Sequence, residues 1–323
     1  MRKRIVFMGT PDFAATVLKR LIDDSYDVIA CVTQPDKPVG RHMKLMPPPV
    51  KVLAESCGIS VFQPASVRTP DFLEWMISMK PDLIITAAYG RILPQNILDV
   101  PTSGCLNVHA SLLPKYRGSA PIHWSILSGD EETGITVMKM DAGMDTGDIL
   151  TVAKLPIGQN VTTLELTDQL ALLGAQLLSD TIPRYFAGEI VPIHQDDSKA
   201  SFSPPIRKEQ GLIDWSESAI QVHNKIRALS SWPGAYTYIN NDRIKIYTSV
   251  VDVEGSSRLK DYCRYGIAAP GTIIFATKTE LSVACGEGCI SLLCVQPESS
   301  KRINVCDCAH NYKIGLVFSG GES

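Results

Sequence analysis

The sequence predicts a mostly parallel α/β sheet with helices on both faces, followed by a small β-barrel domain. Three observations predict it. Short apolar runs alternate with stretches of helical spacing through the first half of the chain. A polar stretch ending in two prolines then divides it. Short alternating strands follow a single helix beyond that point.

The elements follow in order. The start, Met1-Arg2-Lys3-Arg4-Ile5-Val6-Phe7-Met8-Gly9, has an apolar run of only four residues. A signal core needs about 7–15 apolar residues, so the run reads as a first buried strand. Phe13–Leu21 places Phe13, Val17, Leu18 and Leu21 on one helical face. Asp27–Thr33, Asp82–Thr86 and Gly104–His109 read as further strands, and Val50–Ser56 and Phe72–Met79 as helices. The helical pattern over Thr162–Phe186 closes this part. Residues 196–205 read as a linker. A helix around Ser218–Leu229 comes next, with Asp214 or Ser216 as its cap. Strands are expected at Ala235–Ile239, Ile244–Val251, Thr272–Phe275, Leu281–Cys285 and Cys289–Val295. In an open parallel sheet, ligands sit beyond the carboxyl ends of the strands, which is where the chemistry is expected.

With 323 residues, two domains are the natural division. Nine cysteines, an odd number without regular spacing, fit a reducing, cytoplasmic setting. No apolar run reaches the ~18 residues of a membrane span, so no membrane partner is expected. Net charge is −3; residues 1–206 carry 18 basic and 22 acidic side chains, and residues 207–323 carry 13 and 12. Any nucleic-acid contact must come from a local patch. The turn after the first strand, Gly9-Thr10-Pro11-Asp12-Phe13-Ala14, lacks the three-glycine dinucleotide fingerprint. There is no phosphate loop ending in Gly-Lys-Ser/Thr and no His pair at i, i+4 flanking a Glu.

The informative segment is Gly104–Gly118. Asn107 and His109 alternate onto one strand face, just before Pro114 forces a turn. Some 25 residues on, an apolar strand ends at Met138–Asp141, and the glycine-flanked Gly143-Met144-Asp145-Thr146-Gly147 follows. These three residue types suit acyl transfer without a metal. A carboxamide NH2 donates to the carbonyl oxygen on which charge gathers, and losing one such donor costs about 3 kcal/mol. A protonated imidazole can donate as well, and a carboxylate favours that form and accepts the amine's proton. Each residue alone also has an ordinary use: Asn and His satisfy backbone groups at strand ends, and Asp between glycines forms turns.

Asn107-x-His109-x-Ser111-Leu112-Leu113-Pro114, with Asp145 in Asp-Thr-Gly-Asp, resembles the 10-formyltetrahydrofolate-dependent formyltransferases. The likeness spans nearly the whole chain: Met8–Pro11, the 34–51 loop, Tyr116-Arg117-Gly118 and Trp232–Ala235. It implies a Rossmann-like catalytic domain over 1–190, a linker over 191–206, and an OB-like tRNA-binding domain over 207–323. It further implies direct formyl transfer by Asn107, His109 and Asp145, with no metal. The donor, 10-formyltetrahydrofolate, is expected against Ser111, Leu112, Leu113, Pro114, Arg91, Ile92 and Leu93, whose apolar members also read as ordinary core.

The catalytic triple does not specify the amine. Residues 34–49 form a connection of 16 residues, and with Lys51 they hold Lys37, Arg41 and Lys44 against one acid, Asp36. Long loops are often functional, and Lys and Arg suit phosphate or exposed-base contacts. The loop resembles the family's insertion into the acceptor end of methionyl initiator tRNA, and Arg41 is the residue singled out. Arg207, Lys208 and Arg302 are candidate phosphate contacts on the second domain. The expected activity is therefore formylation of the α-amino group of methionyl initiator tRNA for translation initiation, by a monomer. The rivals are a sugar-nucleotide N-formyltransferase, a formyltetrahydrofolate hydrolase, and a silent folate- or RNA-binding protein. Six cysteines after residue 260 invite a zinc reading, but their spacings match no paired site. Cys105 shares the strand face of Asn107 and His109, which raises a covalent thio-formyl route.

Overall fold

The computed structural model describes residues 3–39, 44–252 and 268–319. They divide into two compact units. The first holds residues 1–121, 132–156 and 167–204, and the second holds 122–131, 157–166 and 205–323.

In the first unit, β1 (Arg4–Gly9), α1 (Asp12–Asp23) and β2 (Asp27–Val32) lead into two short strands, β3 (Lys37–Val39) and β4 (Lys44–Met46). Next come α2 (Pro49–Ser56), β5 (Ser60–Phe62), α3 (Pro70–Met79), β6 (Leu83–Ala87), α4 (Gln95–Leu98), β7 (Cys105–His109) and β8 (Arg117–Gly118). The helices begin where the sequence allows: Asp12 lies in the first turn of α1, and Pro49 and Pro70 open α2 and α3. α5 (Pro121–Leu127) runs into the second unit, and β9 (Glu132–Lys139) and β10 (Ile149–Pro156) return to the first. α6 (Thr163–Phe186) starts in the second unit and continues in the first, where β11 (Phe202–Ser203) ends the series.

The main sheet has the order β10-β9-β7-β6-β1-β2-β5. The five strands from β7 to β5 are parallel, whereas β9 runs antiparallel to β7, and β10 to β9. Strands such as Ile5–Met8 and Leu83–Ile85 are buried on both faces, as expected where helices cover a parallel sheet. Val6, Met8, Ile84 and Cys105 pack with Phe72, Met76, Tyr89 and Leu93 in one core.

Three expectations need correcting. The 34–49 connection is not an irregular loop, because Lys37–Val39 pairs antiparallel with Lys44–Met46. Three-residue strands around Pro38 carry too little periodicity to read. The strand Ile149–Pro156 went unread because its sequence, Ile-Leu-Thr-Val-Ala-Lys-Leu-Pro, does not alternate polar and apolar residues, even though its burial alternates at the sheet edge. The stretch 191–206 is not a free linker up to residue 204. Gln195 and Ser203 are buried in the first unit, and Phe202–Ser203 pairs parallel with Arg117–Gly118.

The second unit places α7 (Ala219–Leu229) against an antiparallel sheet. That sheet contains β12 (Ala235–Ile239), β13 (Asp242–Val251), β14 (Ile273–Ala276), β15 (Leu281–Ala284) and β16 (Cys289–Pro297), in the order β12-β13-β16-β15-β14. β17 (Ile303–Asn304) pairs with β16. Both sheet edges meet one later segment: Tyr238 bridges Ser319, and Thr272 bridges Val317. This closes the sheet into the expected barrel. Ser218 caps α7 in a reciprocal pair with Gln221, whereas Asp214 and Ser216, the caps expected from sequence, bond to each other. Among the described residues, no helix is long and apolar enough to cross a membrane.

Candidate active site

Register sets the site. β6 and β7 pair so that Thr86 lies beside Asn107. The Thr86 hydroxyl donates to Asn107 Oδ1 at 2.8 Å. The amide oxygen is thereby occupied, and the NH2 is the free end of Asn107 among the described contacts. A carboxamide held this way presents a fixed donor, the property an oxyanion-stabilising group needs.

His109, two residues on, shares that face and is 6% exposed. Its Nε2 lies 3.0 Å from the Tyr116 carbonyl, and its Nδ1 lies 3.7 Å from Asp145 Oδ2. A carbonyl can only accept, so Nε2 carries a proton and Nδ1 is the nitrogen that faces the carboxylate. This sharpens the sequence expectation: Nε2 is already committed to Tyr116, leaving Asn107 as the uncommitted donor of the pair.

Asp145 reaches His109 by an indirect path. Because β9 is antiparallel to β7, with Lys139 opposite Leu106, the 140–148 turn leaves beside the start of β7 and must fold back over the sheet face. Asp141 organises the turn, its Oδ1 accepting from the Gly143 N–H and the Thr146 hydroxyl. Gly147 is required here, since a Cβ would lie 1.8 Å from the Lys139 carbonyl oxygen. Asp145 has φ +56, a left-handed conformation that Asp adopts more readily than most residues. Asp145 Oδ2 accepts from the Gly118 N–H at 2.8 Å. Gly118 is itself needed, with φ +123 and the Ser203 carbonyl oxygen 2.8 Å from where a Cβ would stand. Ala88 and Tyr116 also have positive φ, so non-glycine left-handed backbone gathers around Asn107 and His109, as strain does at functional sites.

The other donor-side candidates fall into two groups. Ser111, Leu113 and Leu93 are buried, and Leu93 belongs to the core with Tyr89 and Ile97. The Ser111 hydroxyl donates to the Lys115 carbonyl. Ile92 is exposed, and Leu112 and Pro114 are half-buried, so these three offer apolar surface. Arg91 is tied down: its Nε donates to Gln34 Oε1 and its Nη1 to the Ala65 carbonyl.

Lys37 and Lys44 are exposed on the β3–β4 ribbon, and Arg41 lies outside the described residues. The ribbon's root is anchored. Gln63 donates to Asp36 Oδ1 at 2.8 Å and to the Gln34 carbonyl, while Lys51 pairs with Asp36 at 3.0 Å. Gln63 and Lys51 hold the Asp36 carboxyl below the usual carboxylate range. Lys51 is thus a root residue rather than a free cation. In the second unit Arg207 and Lys208 are exposed, and the Arg302 guanidinium lies 3.4 Å over the Tyr247 ring.

Cys105 is 2% exposed, packs in the core near the Leu98 carbonyl, and burial pushes its thiol up to about 12. It is a thiol, not a nucleophilic thiolate, at neutral pH. Among the described residues no group of three or more His, Cys, Asp or Glu stands close enough to hold a metal ion. Sequence reasoning missed Thr86, the Tyr116 carbonyl and Gln195. Only Thr86 had a readable signal, since it ends the apolar run Asp82–Thr86 that reads as a strand.

Comparison with known proteins bears on this geometry. The family described as formyl transferase matches residues 3–182, and its C-terminal domain matches residues 205–313. A methionyl-tRNA formyltransferase of Ruminiclostridium cellulolyticum is 47% identical over 312 residues, covering 96% of this chain and 97% of its own. Another, from Acetivibrio thermocellus, is 46% identical over 97% of each chain. A solved N-formyltransferase of Helicobacter canadensis, in complex with folinic acid and dTDP-3-aminofucose, shares the fold with a TM-score of 0.64 at 19% identity. That match covers 94% of this chain and 100% of that one. With both units matched and relatives this similar along their full length, the chain belongs to the formyl transferase family.

Proposed function

We propose that this chain transfers the formyl group of 10-formyltetrahydrofolate to the α-amino group of methionyl initiator tRNA. The observation that carries the proposal is the 47% identity, across 97% of its length, to a relative named methionyl-tRNA formyltransferase.

The chain's own residues supply the steps. Asn107 donates its amide N–H to the formyl oxygen as the amine adds and charge collects there. His109, anchored at Nε2 by Tyr116, holds its ring beside that charge and keeps Nδ1 toward Asp145. Asp145 has Oδ2 engaged by Gly118, so Oδ1 accepts the proton of the attacking amine, directly or through a water. The bond from the formyl carbon to the α-nitrogen forms, the bond to the folate nitrogen breaks, and that nitrogen leaves protonated by the proton that Asp145 took from the amine, returned directly or through a water. Ile92, Leu112 and Pro114 present the apolar surface a flat pterin ring packs against, with Ser111, Leu113, Leu93 and Arg91 forming the wall behind. Lys37, Arg41 and Lys44 meet the acceptor end of the tRNA, while Arg207, Lys208 and Arg302 meet phosphates from the second unit. On this reading the enzyme works in the cytoplasm as a monomer.

The test supplies 10-formyltetrahydrofolate and charged initiator tRNA to the purified protein and measures N-formylmethionine. Formylated product is expected. Formate release without acceptor, or formylation of an amino-sugar nucleotide in its place, would overturn the assignment.

A further inference from the structure

A closed ring of contacts runs behind the candidate site. Gly118 gives its N–H to the Asp145 carboxylate. The Asp145 carbonyl accepts from Gln195 Nε2 at 2.8 Å, and the same amide donates to the Gly147 carbonyl at 2.7 Å. Gln195 Oε1 accepts from Arg117 Nε at 3.0 Å and Nη2 at 2.8 Å, and Arg117 is the residue before Gly118. Gln195 is 3% exposed and Arg117 is 4% exposed. Both amide hydrogens of Gln195 are therefore spent on the two peptide groups that bracket Thr146. Its oxygen is spent on the cation beside the group that binds the Asp145 carboxylate.

We infer that Gln195 is a positioning residue that holds Asp145 in its left-handed conformation and aims its carboxylate at His109 and the reacting amine. The inference rests on the proposed role of Asp145. Left-handed backbone at a non-glycine residue persists only where the surroundings over-determine it. Here the side chain is fixed by Gly118, the carbonyl by Gln195, and the following turn by the close packing of Gly147. Three further bonds steady the strap that carries Gln195: Arg117 reaches Asp197 Oδ1 at 2.8 Å, Ser201 Oγ accepts from the Tyr116 N–H, and Ser203 Oγ donates to the Tyr116 carbonyl. That carbonyl is the one that anchors His109 Nε2. One segment, 195–203, thus fixes both the Asp145 loop and the His109 anchor.

Gln195→Glu tests this with least disturbance, because it keeps the oxygen that Arg117 uses and removes both N–H donors. Turnover is expected to fall about 100-fold, the loss typical of displacing a reacting group by about 1 Å, with KM for 10-formyltetrahydrofolate within about twofold. In an Asp145→Asn background the same change is expected to cost less than about threefold, because the two residues act as a unit. Hydrogen exchange over 141–148 is expected to rise about tenfold while exchange elsewhere holds. Gln195→Asn, which withdraws the amide by one methylene, is expected to fall between wild type and Gln195→Glu, and it carries the comparison if Gln195→Glu does not fold. Near-normal turnover in Gln195→Glu beside a crippled Asp145→Asn would overturn the inference alone, as would multiplying losses or unchanged exchange over 141–148. Wild-type turnover in Asp145→Asn would instead overturn the proposed role of Asp145, and the inference with it.

Discussion

Each unit carries a cluster of buried and half-buried polar side chains, and the two clusters are spent differently. In the first, Asn107, His109, Asp145, Arg117 and Gln195 converge at the sheet face. Among the described contacts, the Asn107 amide and one Asp145 oxygen remain uncommitted. In the second, His223, Asn224 and Arg227 lie buried on α7. Arg227 donates to the carbonyls of Gly158 and Val161 and to Asn224, while His223 bonds the Ser249 hydroxyl and the Gln159 carbonyl. Both ring nitrogens and most of the guanidinium are used up. A buried polar cluster is therefore not a site in itself; a site is one that keeps a group unspent and holds the rest rigid.

The largest effect that would test the contrast is at Asn107. Asn107→Ala is expected to lower kcat about 100- to 1,000-fold, with KM values nearly unchanged and unfolding shifted little, as read by steady-state kinetics and a thermal melt. A change confined to KM would remove Asn107 from the chemistry. Arg227→Met should do the reverse. Removing the buried guanidinium takes the donor from the buried Asn224 Oδ1 and from the half-buried Val161 carbonyl, and is expected to cost about 3 kcal/mol in urea unfolding, with turnover per folded molecule preserved. Loss of turnover without loss of stability there would erase the distinction between the clusters.

A gentler probe is acid. Burial holds His223 and His123, both in the second unit, below the ordinary imidazole value of 6.5. The unfolded chain therefore binds their protons first, so their contribution to stability is full above about pH 6.5 and is lost as pH falls through the depressed folded values. Hydrogen exchange over 219–229, compared at pH 8 and pH 5, should report this loss, and His223→Gln should flatten it. The smallest effect is expected at Cys105. Because its thiol is buried and protonated, Cys105→Ala should keep turnover within about threefold; a hundredfold loss would revive a covalent route.

Legibility in the sequence followed the range of the interaction. Strand and helix alternation was readable because it is local: Phe13, Val17, Leu18 and Leu21 mark a face without any knowledge of the rest. Asn107 and His109 were readable because strand alternation puts them together. The β3–β4 ribbon was not, because its strands have three residues each and include Pro38. Gln195 was invisible for another reason. Its partners lie 48 to 78 residues away, and nothing in the polar stretch around it marks one amide as buried. The fold was legible in most of its longer elements, and the candidate site as Asn107, His109 and Asp145. What holds those side chains still came only from the three-dimensional structure.

The closure of the second unit has a consequence during synthesis. Tyr238 and Thr272 both wait for the segment at 317–319, which pairs with each. Until the ribosome has released those residues, β14 and the Tyr238 end of β12, whose Tyr236 end is already bridged by Leu212, present unpaired edges, the kind that draw in strands from other chains. The barrel is thus exposed to misassociation for nearly the whole time its strands are emerging, and the last strip to appear is the one that ends that exposure.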